Sequence, residues 1–332
     1  MTTAENGKRF ATVDLLKVLL TVGIVVRHSE LPSMTGISAG FDSFSKGMML
    51  LTELCVPLFF VLSGFLYFRN VPERPGLRFF LDKDRKRVFS LLIPYIIANI
   101  VAFACYWAAY RFAPSMMSGF FGDDWQKPLF IFWTGPVNMS LWFIRDLIIA
   151  VIFAPLTWLI VRYTRIWGVL ALGLLWYFAG MQPWYNFFFT LGAWAATWRI
   201  DVGDACRRTG PWWLLLYACS FMAAMKDPGL MQLSVLCGLP LCIYVAGALM
   251  RRFQWQIPLS WQAWCFFIYL YHYIVVIALK KSLCAWLQPS SGWMLAAILA
   301  ASAVITLALL SAAYILMRKL LPRTTGIITG GK

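Results

Sequence analysis

Apolar residues run along this chain in long blocks separated by short polar and basic stretches. That is the pattern of successive membrane helices, not of alternating strands. Ten blocks stand out, at about residues 11–29, 47–68, 88–110, 140–161, 167–181, 185–198, 212–225, 230–249, 261–280 and 293–317. The pattern predicts an all-α protein, a polytopic integral-membrane helix bundle of about ten transmembrane helices. Residues 1–10 read as an N-terminal segment, 11–320 as one integral domain and 321–332 as a tail, whose sequence TTGIITGGK predicts a disordered end. Lys8 and Arg9 precede an apolar stretch at 15–26, but Asp14 and Lys17 dilute it and no A-x-A site follows. The first block is therefore an uncleaved helix and not a signal peptide. No internal repeat, low-complexity tract or long linker interrupts the pattern.

Polar residues inside the blocks carry the functional information. The chain has two histidines, His28 and His272, and both fall in predicted spans. A histidine at membrane depth ordinarily faces a bundle interior or a watered cavity. Lys17 precedes His28 by eleven positions and Asp14 lies three before that. Eleven helical residues return to within roughly 20° of the starting face, about 16 Å further along. One stripe of the first helix thus carries an acid, an amine and an imidazole, each charged member costing roughly 2.5–3.5 kcal/mol to insert. The plainer alternative is that Lys17 snorkels to one surface while His28 sits at the headgroups of the other.

Composition removes several function classes. The chain is 61% hydrophobic and 13% charged, so its 332 residues hold no sizeable soluble domain. A net charge of +15 on a soluble protein would point to nucleic acid; here the basic residues cluster in short loops and report topology instead. Twenty lie on the side of the N-terminus and six opposite, which predicts cytoplasmic termini and an outer loop at 111–139. His28 then lies near the outer end of the first helix, and Lys17 and the basic loop at 69–87 lie inside. The eight cysteines show no CxxC or Cys/His spacing, and no metal-ligand constellation is visible.

Other motifs admit two readings each. Ser63 and Gly64 in the second span either allow close helix packing or offer a serine nucleophile, although no G-x-S-x-G context supports the latter. Glu53 is a buried carboxylate or an interfacial one. The run Lys83-Asp-Arg-Lys-Arg87 is a positive-inside anchor or a phosphate clamp in which Arg85, Lys86 and Arg87 meet phosphate oxygens. Arg145 and Asp146 open the fourth span; adjacent on a helix, their side chains diverge by ~100° and need not pair with each other. His272, in Tyr269-Leu-Tyr-His272, either ties helices together or joins the chemistry.

Taken in order, these patches resemble the acyltransferase-3 family of bacterial membrane O-acyltransferases. The matching features are a basic residue, ten spacers and a histidine (Lys17 to His28), Phe59-Phe-Val-Leu-Ser-Gly-Phe65, a basic run leading to Leu-Ile-Pro-Tyr95, Leu141-Trp-Phe-Ile-Arg-Asp-Leu147, and the late Tyr269-Leu-Tyr-His272. The first-helix basic residue of the family is often arginine; Lys17 cannot form a bidentate fork. The family often carries a fused extracytoplasmic domain, and this chain is expected to be the stand-alone form. The resemblance implies transfer of an acyl group, acetyl above all, from cytoplasmic acetyl-CoA as donor substrate, with no permanently bound cofactor. The acceptor it implies is a hydroxyl of a surface or lipid-linked glycan, and the site is the bacterial inner membrane. It implies that His28 is general base or acyl carrier, that Asp14 and Lys17 orient the inner end of the path, that Arg145 binds an acyl or glycan oxygen, and that Lys17 and 85–87 hold donor phosphates. A transporter or flippase would use the same polar groups as a pathway, but the chain lacks inverted-repeat symmetry.

Overall fold

The computed structural model describes residues 3–31, 39–112, 131–179, 185–258 and 260–331, and these form helices joined by short turns and loops, with no strand among them. In chain order the helices are α1 (Thr3–His28), α2 (Ala39–Thr52), α3 (Cys55–Phe68), α4 (Leu77–Phe112), α5 (Ile131–Thr134), α6 (Trp142–Ile152), α7 (Ala154–Leu159), α8 (Ile166–Ala179), α9 (Tyr185–Thr197), α10 (Val202–Lys226), α11 (Met231–Phe253), α12 (Ser260–Leu287), α13 (Gly292–Leu320) and α14 (Pro322–Ile328). Most of the outer loop predicted at 111–139, with Asp123 and Lys127, lies outside the described residues.

Among the described residues, five segments are long and apolar enough to cross a bilayer: Gly40–Phe68, α4, Pro228–Phe253, α12 and α13. A sixth is the pair Met139–Ile152 and Ala154–Thr164, broken at Phe153 where Pro155 opens a new helix and its ring cannot follow the previous turn. The predicted spans at 167–181 and 185–198 correspond to α8 and α9, with 14 and 13 residues. At 1.5 Å per residue each covers about 20 Å of a hydrocarbon core about 30 Å thick.

The second predicted span is α2 followed by α3. Pro57 lacks the N–H that would bond to the Glu53 carbonyl, and the helix breaks at 53–54, leaving Glu53 half-buried there. The basic segment 69–87 is a loop only up to residue 76; from Leu77 it is the start of α4. That helix has 36 residues, about 54 Å, so its first turns project beyond the hydrocarbon and carry Arg85, Lys86 and Arg87 out as helix instead of loop. Ile93, Ile96, Ile100, Phe103 and Trp107 form an exposed apolar stripe along the rest of it, as a lipid-facing surface requires.

The chain divides into two compact units, each built from three segments. The first comprises residues 1–24, 43–84 and 150–261. Its centre is the contact of α3 with α9, where Leu58, Phe60, Phe68, Phe188, Phe189 and Ala193 are buried. A Cβ on Gly64 would overlap the Phe189 carbonyl oxygen, and one on Gly192 the Val61 carbonyl oxygen. The backbones approach because both residues lack a side chain. α10 and α11 form an antiparallel hairpin across the turn Pro228–Leu230, where the Asp227 side chain accepts the Gly229 N–H at 2.8 Å.

The second unit comprises residues 25–42, 85–149 and 262–332. Tyr95, Leu141, Ile144, Ile148, Ile268, Leu270 and Leu295 fill it. Its last segment corrects the expected disordered tail. Residues 322–328 are helical, Thr325, Ile328 and Thr329 are buried, and Gly330, at φ +72°, lies against the Ser90 carbonyl too closely for any side chain. The threonine-glycine composition that reads as disorder serves here to let the backbone pack against α4.

Candidate functional site

The site lies in the second unit, at the end of α1 and along α12. The ring centroids of His28 and His272 are 5.2 Å apart at an interplanar angle of 45°, and the Tyr273 ring stands edge-on to His28 at 5.1 Å. Arg27, His28, Glu30, Leu31, Tyr273, Ile277 and Lys280 line a pocket of about 350 Å³. Tyr273, Ile277 and Lys280 are spaced four and three residues apart, so they share one face of α12.

Two interactions fix the end of α1. The last carbonyls of a helix have no partner within it; here Lys280 Nζ donates to the carbonyls of His28 at 3.0 Å and Glu30 at 2.8 Å. A cation at a helix C-terminus also complements the helix dipole. Arg27 pairs with Glu30 at 3.2 Å across the same turn. His28 is thereby held by its own main chain, with its ring against the pocket and no hydrogen bond to a ring nitrogen among the described residues.

His272 is fully buried. Its Nδ1 contacts the Tyr269 carbonyl at 2.8 Å and the Ile268 carbonyl at 3.2 Å, both on its own helix. Its Nε2 has no partner among the described residues. The expected alternative, a histidine bonded between two helices, is therefore not what its hydrogen bonds show. Ties between segments are made elsewhere: Asn138 Nδ2 donates to the Leu270 carbonyl at 2.8 Å, Ser140 Oγ donates to Asn138 Oδ1 at 2.8 Å, and Tyr269 OH donates to the Ser140 carbonyl. Asn99 and Asn138 are fully buried. This network sets the register of α12 against 138–140 and so places His272.

The other predicted residues lie elsewhere. Lys17 pairs with Asp14 at 3.1 Å in the first unit. Arg145 does pair with its neighbour, Nε to Asp146 Oδ1 at 2.8 Å, and its Nη1 donates to the carbonyls of Trp133 and Thr134 at 3.2 and 3.0 Å. The guanidinium is long enough to reach sideways at a helix start, which the ~100° divergence of Cβ directions does not capture. Arg85 and Lys86 are exposed on α4, next to Asp84, which accepts from Tyr67 OH. Ser63 is half-buried, and its neighbour Gly64 makes the tight α3–α9 contact. Sequence reasoning missed Lys280, counted only as an outer loop charge, and Tyr273. The signal was present in the spacing of Tyr273, Ile277 and Lys280 on one face below His272.

Residues 10–314 match the family model described as an acyltransferase domain. The chain belongs to this acyltransferase family. A succinoglycan biosynthesis protein, ExoH of Rhizobium meliloti (strain 1021), is 27% identical over 171 residues, which are 47% of this chain and 44% of that relative. The match spans less than half the relative's length. No solved structure matches the chain. Acyl transfer to a hydroxyl needs a group that takes the hydroxyl proton. In this acyltransferase the His28 imidazole lies on a pocket wall.

Proposed function

We propose that this protein is a membrane O-acyltransferase that moves an acyl group, acetyl, from cytoplasmic acetyl-CoA to a hydroxyl of a surface or lipid-linked glycan. The observation that carries the reading is the placement of His28 on a 350 Å³ pocket beside a second histidine. Family membership supports the reaction type, and the name of the relative supports a polysaccharide acceptor. His28 removes the hydroxyl proton as the oxygen attacks the thioester carbon, and returns it to the departing thiolate. A neutral imidazole can take a proton on one ring nitrogen and give it back, as both transfers require. Arg85 and Lys86, exposed on α4, and the half-buried Arg87 are assigned to the donor phosphates, and Lys17 to the same donor on sequence grounds. Asp14 holds Lys17 in place. Arg145 positions the turn before α6 instead of binding substrate directly.

In this reading the chain crosses the bacterial inner membrane about ten times with both termini in the cytoplasm, the donor arrives from inside, and the His28 pocket faces outward. The twenty-to-six asymmetry of basic residues supports that orientation. The test is mass spectrometry of surface glycans from cells with and without the chain, together with acetyl-CoA turnover in their membranes. Loss of O-acetyl groups on deletion supports the reading; unchanged glycans and no acetyl-CoA turnover refute it.

A further inference from the structure

A main-chain carbonyl only accepts hydrogen bonds. The contacts of His272 Nδ1 with the Ile268 and Tyr269 carbonyls therefore put the proton on Nδ1 and leave a lone pair on Nε2. That nitrogen is buried and has no partner among the described residues. A buried acceptor left empty weakens a fold, so one retained beside a pocket points to a donor that turns into place. The nearest imidazole is His28, at a centroid separation of 5.2 Å. Two imidazoles joined by one N–H···N bond have centroids about 5 Å apart.

We propose that His272 is a positioning residue: its Nε2 accepts the N–H of His28 and so selects the tautomer whose other nitrogen is free to take the acceptor proton. The proposal rests on the reading of His28 as the proton-transferring group. As the acceptor oxygen bonds to the acyl carbon, its proton passes to the free nitrogen of His28. The C–S bond then breaks and the proton goes to the thiolate. His272 gains and loses no proton in this sequence. Its role is to orient a neutral ring and to stabilise the transient imidazolium, as a buried carboxylate does in hydrolase triads, but without adding a charge to the membrane interior.

The experiment measures transfer from radiolabelled acetyl-CoA to the glycan fraction in membranes that express the full chain, with variant levels matched by immunoblot. His272→Phe keeps a ring and removes the acceptor; kcat is expected to fall about ten- to hundredfold, the range that one lost buried hydrogen bond spans, with KM for acetyl-CoA within about twofold. His272→Gln, whose side-chain oxygen can accept near the place of Nε2, is expected to recover most of that loss. If His272→Phe does not insert, His272→Met supplies the non-accepting side chain. Wild-type kcat in the Phe or Met variant overturns the proposal, and so does a Gln variant no better than either. His28→Ala separates the two possible failures. Full turnover in His28→Ala removes the reading of His28 itself; an inactive His28→Ala beside an unimpaired His272→Phe removes only the positioning role.

Discussion

Lys280 Nζ donates to the His28 main-chain carbonyl at 3.0 Å, so a lysine on α12 closes the C-terminus of the helix that carries the other histidine. The same ammonium reaches the Glu30 carbonyl at 2.8 Å. One side chain thus satisfies two helix-end carbonyls and fixes where the His28 ring meets the pocket.

Lys280→Met keeps the aliphatic stem and removes both hydrogen bonds. Charge-assisted bonds contribute about 1.5–3 kcal/mol when intact, and Lys280 is partly exposed, so the lower end applies. A drop in melting temperature of the detergent-purified protein is expected, with turnover falling further than stability because His28 is displaced. Unchanged melting and unchanged turnover together would show that the cap does not position the site.

His28→Ala should abolish acylation while the protein remains inserted in the membrane. Removing a general base typically lowers the rate by ~10²–10⁴. His28→Gln should fail as well, since an amide hydrogen-bonds but does not shuttle protons. Turnover assays on membranes with matched protein levels check both, and near-normal activity in His28→Gln would reduce the residue to a structural hydrogen-bonder.

Ser63→Ala should leave turnover close to wild type, because Ser63 lies beside Gly64 in a segment whose role is helix packing. Gly192→Val should destabilise by about 1–3 kcal/mol, the usual penalty of overpacking, because its new side chain meets the Val61 carbonyl. Thermal unfolding and activity measured on both variants separate packing from chemistry. A dead but stable Ser63→Ala would restore the nucleophile reading.

Replacing Arg85 and Arg87 by alanine should weaken acetyl-CoA binding more than it lowers protein level, and added salt should mimic the effect on wild type. Isothermal titration or filter binding with acetyl-CoA measures it. Binding that is indifferent to both changes would reassign the run to lipid anchoring.

Reporter fusions after residue 332 and near Asp123 should report cytoplasm and periplasm respectively. Active alkaline phosphatase at residue 332 would reverse the orientation and place the His28 pocket on the inner side.

The all-helical membrane character was determined by the sequence itself, because apolar blocks and basic flanks are local properties that no tertiary contact needs to complete. His28 was also legible, since a lone imidazole in an apolar helix stands out from its neighbours. Its surroundings were not. Periodicity groups residues on one helix, so it joined His28 to Lys17 and Asp14, whereas Lys17 bonds Asp14 and the partner of His28 comes from α12. Helix-end capping by Lys280, the bonds of Arg145 to the Trp133 and Thr134 carbonyls and the close approach of Gly330 to Ser90 all depend on which segment packs against which. Long-range packing is set by side-chain shape and by carbonyls left open at helix ends, and neither is written in the spacing of residue types.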